Sequence, residues 1–176
     1  VVHASVAGGK SDAVITQTIR LKSVFEVDGR IKNHLTLTKA HHGDLEKEWW
    51  YRATNHDYLQ VYVPTGSQLI KRTGVTKKTI TPLVAYAGAS FKKDADLTAL
   101  ETNDSAAGKD IFTAWLDTKA GDANTVAFDY YNPYRFNFKG GAYQFIFDKQ
   151  SGYSGTLELE FQAPKGFQWK ESGSPV

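Results

Sequence analysis

"AVITQTIRLKSVFEVDGRIKNHLTLTKA", residues 13–40, decides the fold. β-Branched and aromatic residues alternate with polar ones on both sides of Asp28-Gly29, and side chains of a strand point alternately to its two faces. An Asp-Gly pair between two alternating runs is among the strongest short hairpin signals, because a type I′ turn needs positive φ at both central residues. The stretch therefore predicts a long β-hairpin. Ile31, Asn33, Leu35 and Leu37 do not make a cleanly apolar face, which leaves room for a β-bulge between Asn33 and Leu35.

Working outward, "DYLQVYVPTGSQLIKRTG" (57–74) reads as a strand over Tyr58–Val63, a break at Pro64 and Gly66, and a second strand over Gln68–Arg72. Pro cannot donate to a sheet ladder, so the break suits a corner or edge where a strand changes sheets. Leu59, Val61 and Val63 are assigned to the core, and Tyr58, Gln60 and Tyr62 to the other face. Between them, "HHGDLEKEWWYR" (41–52) loses the period of two and reads as a loop with one helical turn started by Asp44 as N-cap.

The signal is weakest over Thr79–Leu100. Strands return at Asp110–Asp117 and Thr125–Tyr131, separated by "TKAGDAN", which predicts a second hairpin. Ala142–Asp148 and Thr156–Gln162 follow, joined by "KQSGYSG", with Glu158 and Glu160 on a wet face. About nine short strands and no amphipathic helix predict an all-β fold, an antiparallel, immunoglobulin-like β-sandwich with one or two short helical turns. A length of 176 residues suits one such domain over 1–176.

Hydrophobic content of 41% excludes a disordered chain. The absence of Cys removes disulfides, thiolate zinc sites and thiol nucleophiles together. No apolar run approaches the roughly 18 residues of a membrane span. An opening without Met, "VVHASVAGGK", suggests a piece excised from a longer protein. Lys and Arg outnumber Asp and Glu 14 to 7 up to Lys93 and are outnumbered 7 to 12 beyond it. Lys71, Arg72, Lys77 and Lys78 form a tight basic group that would meet an anionic polymer, or else is ordinary solvated surface. Nucleic acid is not an expected partner.

No catalytic constellation emerges. No Ser lies in a G-x-S-x-G elbow: Ser11, Ser23, Ser67 and Ser90 sit in strand or turn contexts. His41 and His42 with Asp44, Glu46 and Glu48 have the chemistry of a divalent-metal site, but adjacent His residues diverge on most backbones, and a solvated loop is the plainer reading. No metal or cofactor is expected. Neither do the residues single out the Lys, Asn or Asp and buried acid that an isopeptide bond requires.

Aromatic residues are the excess. Trp49, Trp50 and Tyr51 make one cluster, and Tyr130, Tyr131, Tyr134, Phe136 and Phe138 another. Exposed rings stack on sugar faces or anchor an interface, whereas buried rings fill the ends of a sandwich. Trp49, Trp50, Tyr51 and Tyr134 are the candidate ligand contacts.

Five segments, "VHASVAGGKSDAVITQTI", "GRIKNHLTLT", "NHDYLQVYVPTGSQLI", "GKDIFTAWLDTKAGDANTVAFDY" and "FIFDKQSGYSGTLELEFQAPKG", resemble in order the C-terminal region of bacterial proteins in the domain-of-unknown-function 4012 family. The chain departs from that pattern at Gln60, often basic in the family, and at Ser151, often Pro. The resemblance implies no established activity. It implies an extracytoplasmic module of a larger cell-envelope protein, anchored by a membrane helix upstream of this chain. The expected role is non-catalytic: adhesion, contact with cell-wall glycan or another surface protein, or domain presentation. The alternative is an accessory domain of an envelope enzyme acting on cell-wall or exopolysaccharide.

Overall fold

The computed structural model describes residues 1–6, 10–77, 104–152 and 154–170. Its strands in chain order are β1 (Val2–Ser5), β2 (Ile15–Phe25), β3 (Ile31–His41), β4 (Asn55–Pro64), β5 (Gln68–Thr73), β6 (Asp104–Ala106), β7 (Lys109–Thr118), β8 (Ala123–Tyr131) and β9 (Thr156–Gln162). Helical turns occupy Ser11–Val14, Gly43–Leu45 and α1 (Trp49–Arg52). The strands form two sheets, ordered β1-β4-β7-β6 and β5-β8-β3-β2-β9. This is an all-β sandwich. The Thr79–Leu100 stretch and Lys78 lie outside the described residues.

The deciding stretch forms the hairpin β2–β3, but its turn differs from type I′. The register pairs Phe25 with Ile31, leaving more residues between the strands than a two-residue turn spans. Gly29 N–H donates to Glu26 O, and Glu26 N–H to Arg30 O, each at 2.8 Å. Gly29 has φ of 85°, and Asp28 is not among the positive-φ residues. The chain thus makes a type I turn over 26–29 closed by a left-handed glycine, the usual three-residue solution. A Cβ on Gly29 would meet Phe136 O at 2.6 Å, so the position excludes side chains twice over.

Nor is there a bulge at Asn33. The β3 register runs unbroken on both sides, and Ile31, Asn33, Leu35 and Leu37 share one buried face. The amide is accommodated by pairing: Ser23 Oγ donates to Asn33 Oδ1 at 2.6 Å, and Asn33 Nδ2 donates to Asn132 Oδ1 at 2.9 Å.

At Pro64 the chain leaves the four-stranded sheet and re-enters in the five-stranded one as β5, as the Pro-x-Gly corner predicts. Leu59, Val61 and Val63 are buried. The predicted second hairpin is instead a crossover, since β7 and β8 belong to different sheets. The turn between them is bonded to the end of β3: Gly121 N–H donates to His41 O at 2.8 Å, and His41 N–H to Asp122 O at 2.9 Å.

The last strand also pairs differently. Residues 142–150 make no ladder, and β9 lies parallel to β2, the one parallel pair among the described residues. That register sets Arg20 beside Glu158 and Lys22 beside Glu160, with ion pairs of 2.6 and 2.8 Å. Opposite charges on neighbouring strands favour this pairing.

Ile19, Leu21, Leu35, Leu37, Val126, Phe128 and Tyr130 of one sheet face Leu59, Val61, Val63, Phe112, Ala114 and Leu116 of the other. Each large apolar side chain so buried contributes about 1.5–3 kcal/mol. A second aromatic cluster closes one end. Phe25 meets Phe136, Tyr143 and Trp169 edge-on at centroid distances of 5.2, 5.0 and 4.8 Å.

Candidate functional site

The loop joining β3 to β4 passes from one sheet to the other and carries the Trp-Trp-Tyr triplet. Its shape follows from His41, which is buried at the end of β3. Gly43 N–H donates to His41 Nδ1 at 3.1 Å, so that nitrogen is the acceptor and Nε2–H donates to Ala53 O at 2.9 Å. One imidazole thereby ties the start of the loop to its end. Gly43 is required there, because a Cβ would fall 2.2 Å from Tyr51 O. Helical turns do form at 43–45 and 49–52, but Asp44 caps neither: His42 and Glu48 hold the N-cap positions, without side-chain caps.

On this loop α1 packs against the Ser11–Val14 and Gly43–Leu45 turns. Trp49 is 68% exposed. Its ring stands edge-on to Trp50, with centroids 6.0 Å apart, and Trp50 lies 6.3 Å from Tyr51. Lys10 Nζ sits 5.9 Å from the centre of the Trp50 ring, within cation–π range. The triplet is thus a ridge of rings with one fully presented face, on a loop braced from beneath.

Tyr134 belongs to the opposite end. Phe136 N–H donates to Gly29 O at 2.7 Å, and Asn132 N–H to Ile31 O at 3.0 Å, placing this segment beside the hairpin turn. The length of β3, about 33 Å at roughly 3.3 Å per residue, separates it from Trp49. The four candidate aromatics therefore do not make one surface. Arg135 Nη1 reaches Asp28 Oδ2 at 2.9 Å. The Asp28 carboxyl is held below its usual value first by the Arg30 backbone N–H, with Arg135 adding to it. Burial pushes the Tyr143 phenol up to about 12.

The basic group is likewise divided. Lys71 and Arg72 lie on β5, with Lys71 exposed. The Arg72 guanidinium turns to the Phe128 ring at 6.0 Å. Neighbouring strand residues point to opposite faces, so Lys71 and Arg72 cannot present charge together. Lys77 follows the strand, exposed.

His41 and His42 diverge as adjacent residues do. Both His41 nitrogens are engaged within the loop, and His42 Nε2 meets Thr16 Oγ1 at 2.8 Å. Among the described residues no group of three or more His, Cys, Asp or Glu is placed to hold a metal ion.

The densest polar chemistry lies inside. Lys39 on β3 is completely buried, as are Asn55 and Asp57 on β4. Lys39 Nζ is in contact with Asp57 Oδ2 and lies 3.4 Å from Asn55 Oδ1. His3 Nδ1, from β1, meets the same Asp57 oxygen at 2.8 Å. Asn55 Nδ2 donates to Asp12 Oδ1 at 2.6 Å and to Ser11 Oγ at 3.3 Å. Burial lowers the His3 pKa, against the pull of Asp57.

No protein-family model and no curated protein matches the chain.

The buried cluster went unread in the sequence, although a signal exists. Lys39 and His41 continue the phase of Leu35 and Leu37, the face that turns inward. Asn55 and Asp57 continue the phase of Leu59, Val61 and Val63. Polar residues in phase with an apolar face mark a buried polar cluster.

Proposed function

We propose that the chain is a non-catalytic, extracytoplasmic β-sandwich module of a bacterial cell-envelope protein, and that it contacts cell-wall glycan through the Trp49–Trp50–Tyr51 ridge. The observation that carries this reading is the presentation of Trp49, 68% exposed on a loop whose ends His41 holds together. A large apolar ring kept in water on a braced loop suits stacking on a sugar face, which is apolar on its C–H side, while neighbouring polar groups serve the hydroxyls. Lys10 beside Trp50 adds a cation where an anionic glycan would lie. The sequence resemblance to the C-terminal region of the 4012 family supports the envelope setting. The non-catalytic reading is supported by the burial of the most concentrated titratable cluster, Lys39 with Asp57, whose side chains are fully enclosed.

Co-sedimentation tests this. The purified protein is spun with bacterial sacculi and with insoluble polysaccharides, alongside the Trp49→Ala/Trp50→Ala double variant. Pelleting of the wild type that the variant loses supports glycan contact. Absence of pelleting at every salt concentration rejects it and leaves a spacer or protein-contact role.

A further inference from the structure

Lys39 projects from the five-stranded sheet and Asn55 from the four-stranded sheet, and their side chains meet in the interior beside a carboxyl group. We propose that Lys39 and Asn55 join in an intramolecular amide, an isopeptide bond across the sandwich, with Asp57 carrying the protons.

The amine, the amide and the acid are all at 0% exposure. Lys39 Nζ lies 3.4 Å from Asn55 Oδ1, with the carbonyl carbon one bond behind that oxygen. Holding the amine beside the amide it would attack converts a bimolecular step into an effectively unimolecular one. The amide is also oriented. Its Nδ2 is drawn away from Lys39 by Asp12 Oδ1 and Ser11 Oγ, which turns the carbonyl toward the amine. Asp12 is exposed, so the leaving nitrogen is bonded to a residue that itself reaches solvent. Asp57 touches the lysine nitrogen through Oδ2, and its Oδ1 is buried with no hydrogen bond among the described residues. A buried ion pair is costly to keep charged.

The step balances without any further reagent. A proton passes from the Lys39 ammonium to the Asp57 carboxylate, leaving a free amine and a carboxylic acid. The Nζ lone pair attacks Asn55 Cγ while Asp57 gives its proton to the carbonyl oxygen. Asp57 then takes the surplus proton from Nζ. Asp57 gives the proton taken from Nζ to Nδ2 as the Cγ–Nδ2 bond breaks, and takes up the hydroxyl proton as the carbonyl re-forms. Ammonia leaves with one proton as ammonium, and Asp57 returns to carboxylate. One C–N bond forms, one breaks, and nothing is oxidised or reduced.

The consequence is mechanical. The bond closes residues 39–55 into a ring that contains the aromatic ridge, so tension on the chain passes from β3 to β4 without stretching that loop. Intact-mass measurement on the denatured full chain is the test, with circular dichroism on the same sample before denaturation to establish that it had folded. The expected mass of the folded wild type is below the sequence mass by one ammonia, and proteolysis releases a branched peptide joining Lys39 to Asn55. Lys39→Met and Asn55→Ala should show their full sequence masses. Asp57→Ala, which keeps both reacting groups, should also retain the ammonia. These masses are readable whether or not a variant folds, and the wild-type digest decides the question by itself. A folded wild type at full sequence mass overturns the proposal. So does an ammonia loss that maps to a succinimide at Asn55, or a water loss that joins Lys39 to Asp57.

Discussion

Asn33 shows how one polar residue fits a core face. Its amide receives Ser23 Oγ–H and donates to Asn132. Asn33→Ala leaves the Ser23 hydroxyl buried without that partner, and such a loss costs about 1–3 kcal/mol. Chemical denaturation should show that drop, and the double variant Ser23→Ala/Asn33→Leu should recover most of it; equal stability of wild type and Asn33→Ala would refute the account. Tyr143 makes the pH prediction at this scale. Burial raises its phenol from 10.0 to about 12, so the folded state keeps a proton that the unfolded chain releases. Stability from this group is therefore complete below pH 10 and is lost as pH climbs toward 12. Alkaline melting curves should fall more steeply for the wild type than for Tyr143→Phe over that window. Parallel curves would show that the phenol titrates freely in the fold.

At the scale of elements, the β3–β4 loop links stability to function through its backbone. Gly43 lies against Tyr51 O, where an added methyl has no room. Gly43→Ala should cost about 1–3 kcal/mol by overpacking and displace the Trp49 ridge, weakening sacculus pelleting along with stability. Trp49→Ala should separate the two, losing pelleting with stability within about 0.5 kcal/mol of wild type, because the ring is exposed. Matching losses in both variants would mean that the ridge is structural. The alternation along 13–40 made β2 and β3 legible, and Pro64 with Gly66 made the sheet change legible. Alternation fixes a strand and its faces but names no partner. Thus β7 and β8 read as a hairpin across a turn rich in Gly, Asp and Asn, whereas the structure buries six successive residues, Ile111–Leu116, and so covers β7 on both faces. Likewise β9 follows an aromatic segment in sequence yet pairs with β2, through charges some 138 positions apart that no local pattern reports. The ridge itself was visible as a cluster, while its distance from Tyr134 depended on which end of β3 each loop adjoins.

The whole molecule depends on what closes its edges. Short β1 completes the four-stranded sheet against β4, and through His3 it also covers Asp57 in the buried cluster. Removing residues 1–6 would take away the ladder from Val2 to Ser5 and the histidine that meets Asp57 at 2.8 Å, and would leave β4 as an exposed edge. A buried carboxyl left without that partner costs about 1–3 kcal/mol or more, the lost ladder adds to it, and an unpaired edge strand is a template for association. The truncated chain is expected to melt roughly 5–15 °C below wild type, since each kcal/mol shifts a domain of this size by about 2–4 °C. Light scattering should report self-association on heating. His3→Gln isolates the side chain, because it retains the β1 ladder and should give a smaller fall without association. If truncation and His3→Gln lower the melting temperature equally, the strand itself adds nothing beyond its histidine. If neither lowers it, the four-stranded sheet is closed by other means and the role assigned to β1 fails.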